Sequence, residues 1–356
     1  EKILRIPGIP IGIYDYRLSE IYPISTIKII KKWNLDVIHS HTEFGIGIFA
    51  RILSKKFKIP LVHTYHTLYE DYTHYITHNH FDKLSKKIVK DLTKVYCVKT
   101  AKETIVPTDK IYKLFKEKYM ITKNISVIPS GIDIERFFEE NVEKDKVDKI
   151  KKKYGITKED FTIIFVGRLA PEKNIEFLLK AQQKLVEEKI NNIKLLIVGD
   201  GPEKENYINI SRKLNIFDKV IFTGKIEQEE IQYYYQCADA FVTASNSETQ
   251  GLTVIEAMAA GVVPICINDM AFIDMLPKKS LFSNQNEYIN RLITFSKDEK
   301  IRKEYKAEIR KKAEEYSSST YAQRVLNVYN GVLNGGNNEK SKGLRNEKKK
   351  MVEEFV

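Results

Sequence analysis

Two glutamates lie on either side of a glycine turn in the segment Glu248-Thr-Gln-Gly-Leu-Thr-Val-Ile-Glu256. An apolar strand is expected before the turn and a helix after it. The backbone N–H groups of Gly251, Leu252 and Thr253 would then lie at the start of that helix, where unpaired N–H groups bind phosphate. Two carboxylates around a phosphate cradle suit a diphosphate with hydroxyls at both ends. The spacing therefore predicts a site for a nucleotide sugar.

Two basic residues follow a second apolar run. Phe161–Gly167 is typical of a buried strand, and Arg168 and Lys173 come directly after it, around Pro171, which can begin a helix. Open α/β sheets bind ligands at the carboxyl ends of their strands. A guanidinium offers paired donors to phosphate oxygens, and an ammonium offers a point charge. Alone these charges would be ordinary solvated residues, but together with the two glutamates they predict a diphosphate site.

These motifs resemble a known enzyme family. Val-Gly-Arg-Leu-Ala-Pro-Glu-Lys-Asn at 166–174, Val-Gly-Asp-Gly-Pro at 198–202 and Glu-x7-Glu followed by Ala-Met-Ala-Ala-Gly resemble the retaining glycosyltransferases of family 4. The resemblance extends from about residue 36 to 329 and implies a GT-B fold, in which two Rossmann-like domains face a cleft. It implies that Glu248 contacts the donor sugar and Glu256 the ribose. The donor-binding residues that it implies are Gly167, Arg168, Lys173, Glu248, Gly251, Leu252, Thr253 and Glu256.

The first half resembles one branch of this family more specifically. His39–Gly47 and Leu61–Tyr75 are similar to the diacylglycerol glucosyltransferases, the membrane-associated branch that makes monoglucosyldiacylglycerol. This resemblance implies a lipid acceptor, with His66 beside the anomeric centre; His66 and Glu248 are then the candidate catalytic residues. The candidate acceptor-side residues are His41, Tyr69 and Tyr72. The tyrosines of this segment are also spaced as one ordinary packed helix face would be.

All seven histidines lie between residues 39 and 80, which raises the question of a metal. His74 and His78 have helical spacing for a zinc site, but no cysteine lies nearby and no His-Glu-x-x-His motif is present. Imidazoles at a strand end are better interpreted as hydrogen-bonding partners of sugar hydroxyls. No Asp-x-Asp stands at a strand end either. We therefore expect no metal and no cofactor, with a UDP-sugar as co-substrate.

Composition limits the alternatives. The chain has 356 residues, 42% of them hydrophobic, which suits a globular protein of two domains. No apolar run reaches the roughly 20 residues that span a bilayer. Its three cysteines lie in or near apolar segments and are expected to be buried thiols in a reducing cytoplasm. The net charge of +11 comes without a nucleic-acid-binding motif, so no nucleic acid partner is expected.

Two basic amphipathic segments, Ile24–Trp33 and Phe81–Lys94, are candidates for binding a membrane surface. Helices that cover a sheet have the same pattern, and that reading stays open. Alternatively, their lysines attract anionic lipids, by about 1 kcal/mol per basic residue near the surface. An enzyme whose acceptor is embedded in a leaflet needs such a device. We expect a cytoplasmic protein, peripheral on the inner face of the cell membrane.

Alternating strand and helix signals occur twice, which predicts an α/β chain with parallel sheets. In the first half, the predicted strands are Leu35–Ser40, Leu61–Tyr65, Val95–Val98 and Ile125–Pro129. In the second half, they are Phe161–Gly167, Lys194–Gly199, Val220–Thr223, Asp239–Ala244 and Val262–Ile267. A charged helix is expected around Ile301–Tyr329.

The predicted domains follow from these elements. They are an acceptor-side Rossmann-like domain at residues 1–134, a nucleotide-sugar domain at 135–318, a terminal helix at 319–334 that crosses back, and a polar basic tail at 335–356. Family members usually begin with a strand and a glycine-rich loop. Nothing before Asp36 has that pattern, so the N-terminus is expected to be truncated and the first domain incomplete.

The leading hypothesis is a retaining transfer of a hexose, glucose in the first instance, from a UDP-sugar to diacylglycerol. Three alternatives stay open. The acceptor could be a glycan or a glycolipid. The chain could instead be a non-catalytic GT-B fragment that binds lipid or nucleotide. A GT-B epimerase is less favoured, because the paired basic and acidic motifs point to transfer.

Overall fold

A computed structural model describes residues 3–10, 17–19, 22–67, 90–122 and 124–335. The chain forms two compact units. Unit 1 contains the described residues up to Pro129 together with those from Tyr321 onward, and unit 2 is Ser130–Thr320. The predicted tail beyond residue 335, Tyr69, Tyr72 and most of the predicted helix Phe81–Lys94 lie outside the described residues.

Unit 1 contains a parallel four-stranded sheet. Its strands lie side by side in chain order, as β3-β4-β5-β6, and a short antiparallel pair, β1 and β2, precedes them. The strands are β1 (Gly8–Pro10), β2 (Arg17–Ser19), β3 (Ile38–Ser40), β4 (Leu61–Thr64), β5 (Glu103–Val106) and β6 (Ile125–Val127). Its helices include α1 (Ile24–Lys31), α2 (Ile46–Phe57) and α3 (Asp109–Lys113), with π-helical turns at Val95–Lys99 and Leu114–Lys118.

Unit 2 contains a parallel six-stranded sheet in the order β12-β11-β10-β7-β8-β9. Its strands are β7 (Phe161–Val166), β8 (Ile193–Val198), β9 (Val220–Gly224), β10 (Ala240–Thr243), β11 (Val263–Ile267) and β12 (Leu281–Phe282). Its α-helices are α4 (Lys144–Lys153), α5 (Ile175–Glu187), α6 (Lys204–Lys213), α7 (Ile231–Tyr235), α8 (Leu252–Ala259), α9 (Met270–Ile273), α10 (Gln285–Lys297) and α11 (Glu299–Ala313). Short 3-10 turns are Glu135–Phe137, Glu139–Asn141, Pro171–Lys173, Phe217–Lys219, Lys278–Ser280 and Glu314–Tyr316.

The central strands of unit 2 are buried along nearly their whole length. Ile163 and Ile164 point to opposite faces of β7, and both belong to one core with Leu178 of α5 and Ile255 of α8. A parallel sheet needs this cover on both faces, which is why its strands are continuous apolar runs and not alternating ones. The predicted α/β class with parallel sheets is confirmed, and all three cysteines are buried as expected.

Two predicted elements were wrong. Val95–Val98 is not a strand but the start of a π-helical turn, Val95–Lys99, and the strand of that region is β5, which begins at Glu103. A run of four apolar residues can form either a strand or a helix. The polar residues Glu103 and Thr104 at the start of β5 made that strand hard to recognise from the sequence. The charged segment 301–329 is not one helix. It breaks at Ser317, on either side of which Tyr316 C=O accepts from Ile132 N–H at 3.0 Å and Ser318 N–H donates to Ile132 C=O at 2.9 Å. The last helix, α12 (Ser318–Gly335), begins after the break.

Candidate functional site

The two motifs that the sequence singled out meet in unit 2. β7 and β10 are parallel neighbours, so the loops that follow them leave the same edge of the sheet. Lys173 Nζ lies 2.5 Å from Glu248 Oε1, although the residues are 75 apart in sequence. Their side chains are only 17% and 20% exposed. A cation and an anion thus stand together at the strand ends, where α/β sheets bind ligands.

Arg168 is presented by a loop with a fixed backbone. Leu169 N–H donates to Asp200 C=O at 2.9 Å, and Glu203 N–H donates to Leu169 C=O at 3.0 Å. The guanidinium Nη2 of Arg168 lies 2.7 Å from Glu172 Oε1, one helical turn along the chain. Both cations of the predicted diphosphate site are therefore already paired with carboxylates. A diphosphate that binds here exchanges these partners for phosphate oxygens.

The turn between the glutamates has a backbone that requires glycine. Gly251 caps α8 with a φ of 81°, and a Cβ there would lie 2.6 Å from Phe272 Cε1. Beside it, the buried Gln250 accepts from Ser130 N–H at 2.8 Å and donates to Ser130 C=O at 3.0 Å. Leu252 is exposed and Thr253 partly so at the start of α8. The predicted phosphate cradle is thus a rigid turn at the N-terminus of an eight-residue helix.

Glu256 lies one helical turn inside α8 and has a partner that the sequence reasoning missed. The hydroxyl of Tyr235 donates to Glu256 Oε2 at 2.8 Å. Burial raises the pKa of Glu256, whereas the bond from Tyr235 and the charge of Arg136 lower it. The run Tyr233-Tyr234-Tyr235 is conspicuous in the sequence, but nothing in it shows that one hydroxyl faces a carboxylate.

In unit 1, two predicted residues contact each other. His41 Nδ1 lies 2.9 Å from His66 Nε2, and the rings stack with centroids 5.2 Å apart. Burial lowers the pKa of both, that of His41 to about 4. At neutral pH both imidazoles are therefore uncharged, so one donates to the other. Both follow strand ends, since His41 comes after β3 and His66 after β4.

A separate, buried network connects the ends of the same two strands, β3 and β4. Ser40 Oγ lies 2.9 Å from His63 Nδ1, and His63 Nε2 lies 3.1 Å from Glu43 Oε1. These are the residue types of a hydrolytic triad, but Ser40, His63 and Glu43 are only 5%, 0% and 4% exposed. A nucleophile needs access to its substrate, which burial denies here. The sequence reasoning missed Glu43, because its pairing with His63 arises from the sheet register.

Other predicted residues have a simpler status. Tyr69 and Tyr72 lie outside the described residues, as do His74, His78 and His80. Across the described ranges, no group of three or more His, Cys, Asp or Glu side chains is arranged to hold a metal ion. No helix in the described part of the chain is both long and apolar enough to cross a bilayer.

Comparison with known proteins extends these observations. Residues 146–312 match the family described as Glycosyl transferases group 1, and residues 1–136 match the Glycosyltransferase Family 4. The chain is 33% identical to the alpha-monoglucosyldiacylglycerol synthase of Streptococcus pneumoniae over 79% of its length and 63% of the relative's. It is 32% identical to the alpha-monoglucosyldiacylglycerol synthase of Acholeplasma laidlawii, over 96% of its length and 87% of the relative's.

Solved structures support the fold. Anabaena Alr3699/HepE, solved in complex with UDP, superposes with a TM-score of 0.70 at 17% identity, covering 86% of this chain and 81% of that one. WaaG, a glycosyltransferase involved in lipopolysaccharide biosynthesis, gives a TM-score of 0.66 at 15% identity, with 86% and 81% covered. The predicted GT-B fold and hexosyltransferase class are confirmed. The chain belongs to the family 4 glycosyltransferases of the GT-B fold.

Proposed function

We propose that the chain transfers glucose from UDP-glucose to diacylglycerol with retention of the anomeric configuration. The observation that carries the proposal is the contact between Lys173 and Glu248 beside the glycine turn. It occurs in a chain that is similar over 96% of its length to an alpha-monoglucosyldiacylglycerol synthase. The paired charges suit a sugar diphosphate, and the relatives' names suggest both the sugar and the acceptor.

The donor half of the mechanism uses the charges of unit 2. Arg168 and Lys173, with the N–H groups at the start of α8, stabilise the negative charge that grows on the departing diphosphate. Glu248, released from Lys173, accepts a hydrogen bond from a hydroxyl of the sugar. In this role the Glu248 carboxylate binds a sugar hydroxyl and does not act as a covalent nucleophile at the anomeric carbon. As the family resemblance implies, the leaving phosphate takes the proton of the acceptor hydroxyl on the same face.

The acceptor half is assigned to unit 1. His66 is a neutral imidazole held by His41, and this state suits a hydrogen bond to a sugar hydroxyl better than proton transfer at neutral pH. We therefore assign His66 to orienting the sugar. Tyr69 and Tyr72 remain candidate acceptor-side residues by the resemblance alone.

A lipid acceptor requires contact with a membrane surface, and α1 has suitable side chains for it. Ile24 and Ile29 are 64% and 42% exposed, whereas Ile27 on the same helix is buried. Lys28 and Lys31 are exposed beside them. Exposed apolar residues among lysines favour an anionic leaflet, in which the apolar side chains insert and the lysines meet phosphates. We propose that the chain binds the cytoplasmic face of the cell membrane in this way.

The proposal is tested by incubating the chain with UDP-glucose and vesicles of diacylglycerol and anionic lipid, followed by mass spectrometry of the lipid extract. Hexosyl-diacylglycerol is the expected product. Free glucose without a glycolipid would indicate a correct donor and a wrong acceptor, and vesicles containing a glycolipid would then be tested. Vesicle binding with no consumption of UDP-glucose would favour a non-catalytic role.

A further inference from the structure

Tyr235 is fully buried, and its hydroxyl has one fixed position. The hydroxyl oxygen lies 2.8 Å from Glu256 Oε2 and 3.1 Å from the carbonyl oxygen of Thr253. Phe137 packs edge-to-face against the ring with centroids 5.6 Å apart, and Phe241 lies at 6.3 Å. With aromatic rings close by, the phenol is not free to follow a moving carboxylate. The carboxylate must instead take the position that the phenol sets.

The proton in this contact belongs to the tyrosine. Burial, together with the nearby Glu256 carboxylate, raises the pKa of Tyr235 well above 10, so the hydroxyl stays protonated and donates. It carries one hydrogen, and the carboxylate is the nearer and the more strongly accepting of its two neighbours. The bond therefore engages Oε2 of Glu256 and fixes the position of this oxygen, while Oε1 lies outside this bond.

We propose that Tyr235 is a positioning residue that orients Glu256 to recognise the vicinal hydroxyls of the donor's ribose. The inference rests on the proposed function and on the contact between Glu256 and that ribose, which the family resemblance implies. A diol is discriminated only by an acceptor held at a fixed place, because a carboxylate that rotates loses the geometry of a short hydrogen bond. Tyr235 thereby makes the site selective for ribonucleotides over nucleotides that lack these hydroxyls.

The test compares the binding of UDP and 2′,3′-dideoxy-UDP by calorimetry in the parent chain, Tyr235→Phe and Tyr234→Phe. Tyr234 is the matched control, because it is buried in the same helix and its ring lies beside Tyr154 instead, with centroids 6.4 Å apart. The parent is expected to prefer UDP. Tyr235→Phe is expected to lower this preference about 10-fold, the value of a hydrogen bond to a charged group. Binding of the dideoxy nucleotide should stay within about 2-fold in all three chains, as should the preference in Tyr234→Phe.

A second measurement separates positioning from support of the fold. If Tyr235 acts through Glu256, Tyr235→Phe should not alter the preference for UDP further in a chain that already carries Glu256→Ala. A double-mutant cycle measures this. An unchanged UDP preference in Tyr235→Phe overturns the inference and leaves the donor assignment intact. An equal loss of affinity for both nucleotides in Tyr235→Phe overturns it as well, since that result indicates a structural effect. A parent chain that does not bind UDP at all refutes the proposed donor.

Discussion

Replacement of Lys173 by alanine tests the donor site most sharply. The Lys173–Glu248 contact of 2.5 Å lies among side chains that are at most 20% exposed, so solvent screens it less than a surface pair. In the reaction, the ammonium would face the diphosphate as its charge grows. Loss of one such preorganised group costs about 3–4 kcal/mol in the transition state, so kcat is expected to fall by about 100- to 1,000-fold. Arg168 remains, which is why some activity survives.

The assay is the initial rate of UDP release with UDP-glucose and diacylglycerol vesicles. Unfolding must be excluded as the cause. Lys180→Ala is the matched control, because Lys180 forms a 2.7 Å pair with Glu176 in which both side chains are about half exposed. Such a pair contributes at most about 1 kcal/mol to stability and should not alter the rate. A folded Lys173→Ala protein with near-parental kcat would refute the assignment of Lys173 and, with it, the donor site.

Three further outcomes follow from the described geometry. Gly251→Ala should lower the free energy of unfolding by about 3 kcal/mol, because of the left-handed φ and the clash with Phe272. Gly155 has a similar φ but open space around it, so Gly155→Ala should lower the same free energy by about 1 kcal/mol. Urea titration measures both, and equal losses of stability would contradict the clash. Gln250→Ala should lower the free energy of unfolding by about 2 kcal/mol, because the backbone N–H and C=O of Ser130 both lose their partner. An unchanged free energy of unfolding in the same titration would contradict this role of Gln250. Burial and its neighbour His41 lower the pKa of His39 to about 3. The folded chain therefore binds this proton less well than the unfolded chain, and His39 contributes stability above pH 6.5 that is lost as the pH falls. Between pH 6.5 and 5 the loss is about 2 kcal/mol. His39→Gln should flatten this dependence, and identical slopes in both chains would contradict it.

The second half of the fold was predictable because its strands are long and apolar. Phe161–Val166 and Ile193–Val198 are buried on both faces, so composition alone marks them as central strands of a parallel sheet. The first half was harder. Its strands are three or four residues long, and Val95–Val98 has a strand-like composition but forms a helical turn. Local propensity is decided by packing in such short segments, and the sequence does not display the packing.

The donor site shows the same division between residue types and contacts. The order of a strand, a turn and a helix predicted that Arg168, Lys173 and Glu248 would lie at strand ends. That Lys173 and Glu248 touch depends on β7 and β10 being neighbours, which follows from sheet order and not from sequence spacing. Tyr235 was missed for the same reason, since it lies 21 residues before Glu256, on a different helix. Sequence patterns identify side chains that can do chemistry, and the topology decides which of them meet.

In the proposed reaction, glucose passes from UDP-glucose to diacylglycerol with its configuration retained. The most direct measurement is proton NMR of the anomeric signal in the glycolipid that the parent chain forms from these two substrates. The expected product is a glucosyl-diacylglycerol with the small anomeric coupling of an α-glucoside. A β-glucoside would contradict the retaining mechanism, and the absence of any glucosyl-diacylglycerol from an otherwise UDP-binding chain would contradict the proposed acceptor.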